Sequence, residues 1–305
     1  MVTGQQRNGP ARTTGSMLAI DTSTATMTVA LLAGSAVLGE KHNMSERNHS
    51  LYLMPVVQEL LSEHGLQPND LDGFAVGVGP GSYTGVRIGV TAAKTMAWAL
   101  GKPVYGVSSL EALAYGAAHE LFLTTQGGTA NEGGGYGRKP EEVESMPLTV
   151  SPVNDSLRTW FVPLMDARRG QVYTALFERT AVDNTLDIHQ GSAAFPYTWT
   201  RLRADGIQLM DAWANGLRET AGSTGEAPDR IVFIGDVEPF RGLIAGLAES
   251  WSGEVAAQPF PAKASALGRL AAPLLASGAP SDAHGLLPNY AQITEAEANL
   301  LARSK

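Results

Sequence analysis

A pattern of strand, polar turn and strand occurs twice in this chain of 305 residues. In the first copy, "MLAIDTSTATMTVALL", Asp21 is followed nine to eleven residues later by the apolar run 30–32. In the second copy, "FVPLMDARRGQVYTALF", Asp166 is followed at the same offsets by residues 175–177. After each copy comes an apolar strand pattern that leads into a helical one, as in "GFAVGVG" and "RIVFIGD". This recurrence predicts a duplicated β-β-β-α-β-α unit.

A leading antiparallel hairpin followed by alternating helices and strands predicts a mixed sheet flanked by helices. This is the ribonuclease H-like half of the actin, hexokinase and Hsp70 architecture. The predicted fold is therefore α/β, actin-like (ASKHA), a duplicated ribonuclease H-like fold with two mixed-sheet subdomains. The chain is divided into a disordered leader, an N-terminal subdomain, a Gly- and Glu-rich insertion and a C-terminal subdomain, at residues 1–16, 17–119, 120–157 and 158–305.

The composition narrows the classes of function. Hydrophobic residues make up 44% of the chain and charged residues 17%, which is typical of a globular protein. The absence of cysteine excludes disulfides and thiolate chemistry. The leader has no apolar signal region and no run is long enough to span a bilayer, so we expect a cytoplasmic protein with no membrane contact. A net charge of -8 argues against a broad phosphate-binding surface, so another subunit is expected to hold any nucleic acid.

The glycine-rich stretch "GVGPGSYTGVRIG" lies between a predicted strand and a predicted helix. It lacks the lysine of a Walker A loop, and Thr84 stands where a dinucleotide fingerprint needs its third glycine. Two interpretations stay open. The loop binds an anion at the helix N-terminus, or it is a tight turn that requires positive φ.

Three further features are candidates for chemistry. The turn Asp21, Thr22 and Ser23 is a candidate vestigial phosphate loop, or a polar turn capped by its own side chains. The six histidines include no i, i+4 pair and no H-E-x-x-H, so no metal site is predicted. No nucleophile elbow occurs, so no catalytic residue is assigned. Arg168 and Arg169 either meet an acidic partner or form a solvated turn.

The predicted helix after the glycine loop carries polar side chains on an arc of about 100° and small or apolar residues elsewhere. Gly85, Gly89, Ala93 and Ala97 form a row of small residues at i+4 spacing, which lets a second helix approach closely. This row, together with Val86 and Arg87, is predicted to be a subunit interface. The alternative is an ordinary helix contact inside the chain.

The segments "LAIDTSTATMTVALL", "GVGPGSYTGVRIGVTAAKTMAWALGKPVYGVSSLEALA", "DARRGQVYTALFE" and "LLPNYAQ" resemble the TsaB (YeaZ) family. The resemblance covers most of residues 17–118 and, more loosely, 159–292. Three features depart from the family pattern: Tyr83 in place of Phe, Gln171 in place of Glu, and a longer insertion at 120–156.

The resemblance implies a non-catalytic subunit of the complex that forms N6-threonylcarbamoyladenosine at position 37 of tRNA. Its implied partners are the catalytic paralog TsaD and the ATPase TsaE, with a homodimer as a further possibility. Contact with tRNA would be indirect, and no cofactor is implied. Two other functions stay open, a nucleotide-binding actin-like phosphotransferase and a metallo-glycopeptidase. The H-x-x-x-H motif through which the paralog binds metal is absent from this sequence.

Overall fold

The structure is a computed structural model that describes residues 15–44, 48–125, 157–181, 197–224 and 227–291. The chain divides into two compact units. No helix in these ranges is long and apolar enough to cross a membrane.

The first unit contains a mixed five-stranded sheet in the order β3-β2-β1-β4-β5. β1 pairs antiparallel with β2, as the predicted leading hairpin requires, and parallel with β4. The elements of this unit are β1 (Ser16–Asp21), β2 (Met27–Ala33), β3 (Ala36–Asn43), α1 (His49–Glu63), β4 (Gly73–Gly77), α2 (Tyr83–Leu100), β5 (Val104–Val107) and α6 (Ala264–Ala276).

Both faces of this sheet are covered by helices. One face packs against α1 and α2 in a core that includes Leu18, Val76 and Val90. The other face packs against α6. The helix lies so close to β2 that a Cβ added to Gly268 would overlap the side chain of Leu32. Burial on both faces explains why β1 and β4 are almost entirely apolar instead of alternating.

The second unit contains a mixed five-stranded sheet in the order β10-β9-β6-β7-β8. β6 pairs antiparallel with β7 and parallel with β9, which repeats the arrangement around β1. The elements of this unit are α3 (Ser109–Thr125), β6 (Thr159–Asp166), β7 (Gln171–Ala181), β8 (Tyr197–Leu209), α4 (Met210–Thr224), β9 (Arg230–Gly235), α5 (Arg241–Ala248) and β10 (Glu254–Pro259).

The second sheet is also covered on both faces. Trp160 and Phe233 pack against α4 and α5. Phe161 and Val232, which point to the opposite face, pack against α3. The two sheets with their helices confirm the predicted α/β fold with duplicated mixed sheets.

The repeat is longer than predicted, because each copy is β-β-β-α-β-α-β-α. The third helix of each copy belongs to the other unit: α3 lies in the second unit and α6 in the first. The predicted contiguous boundaries at 119 and 158 are therefore revised. Residues 120–125 continue α3 instead of opening an insertion, and Ser16 opens β1 instead of ending the leader. The rest of the predicted leader and insertion, 1–14 and 126–156, lies outside the described residues.

Candidate functional site

The turn between β1 and β2 is buried and is held by its own polar groups. Asp21, Thr22 and Ser23 are each at most 2% exposed. The Ser23 amide donates to Asp21 Oδ1 at 2.8 Å, and the Thr22 hydroxyl donates to the carbonyl oxygen of Gly85 at 2.7 Å. The turn thus joins β1 to the first turn of α2.

The row of small residues on α2 packs inside the first unit. Gly85, Gly89, Ala93 and Ala97 are all buried, and so is Val86. A Cβ added to Gly89 would overlap Thr22 Oγ1. This burial corrects the predicted interface, because five of its six residues face the chain's own core. Arg87 alone of the six is exposed.

Three buried polar atoms near this hairpin have no hydrogen-bond partner, namely Ser23 Oγ, Thr28 Oγ1 and His49 Nδ1. His49, the first residue of α1, contacts the carbonyl oxygen of Thr24 through Nε2 at 3.1 Å. Among the described residues there is no group of three or more His, Asp or Glu side chains arranged to hold a metal ion. Retained phosphate binding at this turn stays a prediction.

The glycine loop contains a backbone conformation that glycine adopts more readily than other residues. Gly79 has φ 90°, a value that L side chains rarely adopt. Its amide contacts Ser109 Oγ at 3.2 Å and its carbonyl oxygen accepts from the Ser109 amide at 3.0 Å. The cap of α3 is Ser108, whose hydroxyl accepts from the Glu111 amide at 3.1 Å. Of the two interpretations of this loop, the structure shows the positive-φ turn.

The turn between β6 and β7 has an unusual backbone. Arg168 and Arg169 have φ of 66° and 55°, and they are the non-glycine residues with positive φ among those described. Left-handed backbone costs an L residue roughly 1–2 kcal/mol. The Arg168 amide donates to Asp166 Oδ1 at 2.8 Å, and the Asp166 amide donates to Asp236 Oδ2 at 2.9 Å. Both arginine side chains are exposed.

The outward side of α1 and α2 carries exposed apolar side chains. Leu51 and Met54 on α1 are 63% and 42% exposed, and Trp98 on α2 is 70% exposed. The two helices cover the same face of the first sheet, so their outer sides belong to one layer. We call this set of three residues the α1–α2 face. The sequence analysis did not identify Leu51 and Met54 as exposed apolar residues. A signal was available, because both lie off the helical stripe of Leu53 and Val57, which packs inward.

The segment after α6 is fastened to α2 and β5. Lys94 Nζ donates to the carbonyl oxygens of His284 and Leu286 at 3.0 and 2.8 Å. Ser281 Oγ bonds both the amide and the carbonyl oxygen of Val104 on the edge strand. Amides of Gly285 and His284 lower the pKa of the Asp282 carboxyl below its ordinary value. This network joins residues too distant in sequence to be paired from pattern alone.

In the second unit, Arg201 on β8 lies between two carboxylates. Its guanidinium pairs with Glu111 of α3 at 2.5 Å and with Asp205. Burial lowers the pKa of Arg201, but the two carboxylates offset this effect and the pKa is raised. The same guanidinium stacks over the Phe177 ring. These contacts anchor α3 to the sheet and leave no free reactive group.

Comparison with known proteins places this geometry in a family. The chain is 32% identical to the tRNA threonylcarbamoyladenosine biosynthesis protein TsaB of Bacillus subtilis (strain 168), over 95% of this chain and 99% of that protein. It is 40% identical to TsaB of Escherichia coli (strain K12) over 33% of this chain and 43% of that protein. The family model described as TsaD, tRNA N6-adenosine threonylcarbamoyltransferase, matches residues 41–131.

Solved structures agree with the fold. A Pseudomonas aeruginosa protein described as similar to peptidase YEAZ superposes with a TM-score of 0.57 at 26% identity, covering 91% of this chain and 99% of that chain. YeaZ from Pseudomonas aeruginosa superposes with a TM-score of 0.57 at 24% identity, covering 90% and 99%. The resemblance predicted from the sequence is thereby confirmed.

Proposed function

The chain belongs to the family of the tRNA threonylcarbamoyladenosine biosynthesis protein TsaB, and from that premise we propose that it is a non-catalytic subunit that pairs with a TsaD-type catalytic subunit. The catalytic subunit would hold the tRNA and carry out the transfer, and a TsaE-type ATPase would join the larger complex. Because the modified tRNA works in the cytoplasm, the complex is placed there. The chain's own contribution is a docking surface.

The α1–α2 face is the observation that carries this proposal. Trp98 and Leu51 keep more than half of their surface exposed, although each side chain is large and apolar. Single exposed apolar residues are ordinary. However, Leu51 and Trp98 lie on two helices that pack against the same face of the sheet, and aromatic residues are enriched at protein interfaces. A partner that covers them removes this apolar area from water, which stabilises the pair.

The match to the TsaD family model supports a paralog as the occupant. Residues 41–131 contain α1 and α2 in full, so a TsaD-type protein has sequence counterparts of both helices. Two related chains can place equivalent surfaces face to face, as the subunits of a twofold dimer do. A second copy of this chain is the competing occupant, and a homodimer is one outcome of the test.

The hydrogen bonding of the candidate phosphate turn to α2 supports a non-catalytic role. Thr22 Oγ1 is bonded to Gly85, and the same side chain fills the space beside Gly89. In this arrangement the turn positions α2, which is one of the two helices of the proposed docking surface. The residues that resemble a phosphate loop thus have a structural use that needs no nucleotide.

The test is co-purification of the chain with the cognate catalytic subunit, followed by sedimentation analysis. The double variant Leu51→Glu/Trp98→Glu places two charges on the α1–α2 face without touching the core. The matched control is Leu243→Glu, which places a charge at an exposed leucine of α5 in the second unit. We expect the double variant to remain folded and to lose the partner, and the control to bind as the wild type does.

Two results would contradict the proposal. In one, the double variant retains full affinity for the catalytic subunit. In the other, tRNA modification by the reconstituted complex proceeds at full rate without this chain. If the double variant loses only self-association and keeps the catalytic partner, the α1–α2 face is a homodimer interface and the partner binds elsewhere.

A further inference from the structure

We propose that the β6–β7 turn, through Arg168 and Arg169, contacts the phosphate backbone of the tRNA held by the assembled complex. This inference rests on the proposed function, since it requires a complex in which another subunit binds the RNA. It assigns a role to the "DARRG" motif, which neither the docking surface nor the β1–β2 turn uses.

These two arginines differ from all others in the described ranges. Every other arginine there has a partner within the chain: Arg201 pairs with two carboxylates, Arg230 with Glu254 and Arg241 with Glu238. Several arginines bond carbonyl oxygens, neighbouring side chains or rings, or have other intrachain contacts, namely Arg87, Arg158, Arg179, Arg203, Arg218 and Arg269. The guanidinium groups of Arg168 and Arg169 have no such contact within the described part of the chain and are exposed.

The backbone under these side chains is held in one conformation. The Ala167 amide donates to the Gln171 carbonyl oxygen at 3.0 Å, and the Gln171 amide donates to the Arg168 carbonyl oxygen at 2.9 Å. The second bond closes a tight turn whose central residues are Arg169 and Gly170, with φ of 55° and 73°. A turn with positive φ at both central residues favours Asn-Gly, and Gly170 already occupies its second position. Arg168, which precedes this pair, and Arg169 both have positive φ without being glycine. Arginine there is unfavourable for the backbone, which indicates that the side chains serve another purpose.

The chemistry of the pair suits phosphate. A guanidinium presents a planar fork of donors that matches phosphate oxygens, and two neighbouring forks at a turn tip can reach successive groups of one strand. The nearby carboxylates of Asp166 and Asp236 accept backbone amides of the turn and so are already engaged. The substrate of the pathway is a polyanion, whereas nothing in the described structure indicates an acidic protein segment.

The surrounding charge limits the contact to one or two phosphates. The chain as a whole has a net charge of -8, and Asp166 and Asp236 lie at the base of the turn. So small a cationic site gives little affinity by itself. It adds to binding only when another subunit already holds the RNA, so the isolated chain is expected to bind tRNA weakly.

The experiment compares tRNA binding by the reconstituted complex with wild-type chain and with the double variant Arg168→Asn/Arg169→Gly, over a series of salt concentrations. The substitutions remove both charges, and asparagine and glycine adopt positive φ more readily than arginine, so the variant should fold. The control is Arg218→Gln/Arg241→Gln, which removes the same charge from α4 and α5. We expect the turn variant to bind tRNA several-fold more weakly, with the slope of log K against log salt reduced by about 1 to 2.

Assembly is measured on the same samples. Unchanged assembly with weakened tRNA binding supports the inference. Unchanged tRNA affinity and slope would overturn it, as would an equal loss in the control variant. Loss of the catalytic partner or of the ATPase by the turn variant would assign the turn to an acidic protein surface instead. If the wild-type chain forms no complex with the catalytic subunit, the proposed function is wrong, and this inference is then wrong as well without any comparison of variants.

Discussion

The hydroxyl of Thr22 and the carbonyl oxygen of Gly85 form a buried hydrogen bond of 2.7 Å between residues that are 63 positions apart in the chain. The bond ties the end of β1 to the start of α2. The side chain of Thr22 also occupies the space that a Cβ at Gly89 would need. One threonine therefore determines both the position of the helix and the requirement for glycine one turn later.

Gly89→Ala should destabilise the folded chain. In a helix interior, alanine is more stable than glycine by about 0.5–1 kcal/mol. However, the new Cβ would overlap Thr22 Oγ1, a short side chain that cannot move without losing its hydrogen bond, and overpacking of this kind costs about 1–3 kcal/mol. Denaturant melts should show the loss. A variant more stable than the wild type would mean that the helix face is open.

A double-mutant cycle identifies the cause. Thr22→Ala alone should cost about 0.5–1.5 kcal/mol through the lost hydrogen bond. In that background Gly89→Ala should cost much less than in the wild type, because the overlapping hydroxyl is gone. Additive losses in the cycle would place the strain elsewhere. Gly246→Ala on α5, where no atom lies within 4 Å of an added Cβ, is the matched control and should be neutral or stabilising.

Glu40→Ala should destabilise α6. No side chain at the start of α6 caps it, and the carboxylate of Glu40 on β3 accepts from the Ser265 amide at 2.9 Å and from its hydroxyl at 2.8 Å. Removing a cap costs about 0.5–2 kcal/mol. Glu249→Ala, at an exposed residue after α5, is the control and should change the free energy of unfolding by less than about 0.5 kcal/mol. Equal effects from both variants would contradict the capping role.

The segment 282–286 should loosen in acid. Amides of Gly285 and His284 lower the pKa of Asp282 from its ordinary value of 3.8. Since the folded pKa is the lower one, the stabilising contribution is complete above about pH 4 and is lost as the pH falls through the folded pKa. A carboxyl NMR titration should give a midpoint below 3.8. A midpoint at or above that value would refute the contact.

A matched comparison separates this effect from general acid unfolding. The Arg241 side chain lowers the pKa of Glu238 through a hydrogen bond. Arg241→Gln should therefore raise the midpoint of Glu238 and leave that of Asp282 unchanged. Movement of both midpoints would indicate a global transition instead of two local ones.

Arg168→Asn/Arg169→Gly should stabilise the isolated chain, whatever its effect on RNA. Relief of left-handed backbone at two residues outweighs the extra freedom of glycine in the unfolded state, with a net gain of roughly 1 kcal/mol. Arg168→Lys/Arg169→Lys keeps both the charge and the strain and should leave the midpoint of thermal unfolding unchanged. A loss of stability in the Asn-Gly variant would show that the arginines stabilise the fold.

The isolated chain should bind tRNA weakly. Its net charge is -8, and exposed charges are screened beyond roughly 8 Å at physiological salt. A gel shift at about 0.15 M salt should show no sub-micromolar complex. Sub-micromolar binding by the chain alone would contradict both the premise that another subunit holds the tRNA and the restriction of the turn to one or two phosphates.

Local signals in the sequence determined most of the architecture. Asp21 and Asp166 mark two hairpins whose strands could be located because they are short, nearly continuous apolar runs separated by polar turns. The polar arc of α2 likewise predicted which side faces water, since Thr84, Thr91 and Trp98 are exposed as expected. The family could also be identified, because the glycine-loop motif is long and continuous in the chain.

Only the tertiary structure decided the contacts between distant residues. An apolar arc of some 260° on α2 left two sides available for burial, and the position of Thr22 determined that the row of small residues faces inward. The exchange of α3 and α6 between the units, and the capping of α6 by Glu40, likewise join residues far apart in sequence. Such contacts form wherever folding brings matching groups together, and periodicity carries no information about which distant element meets a given face.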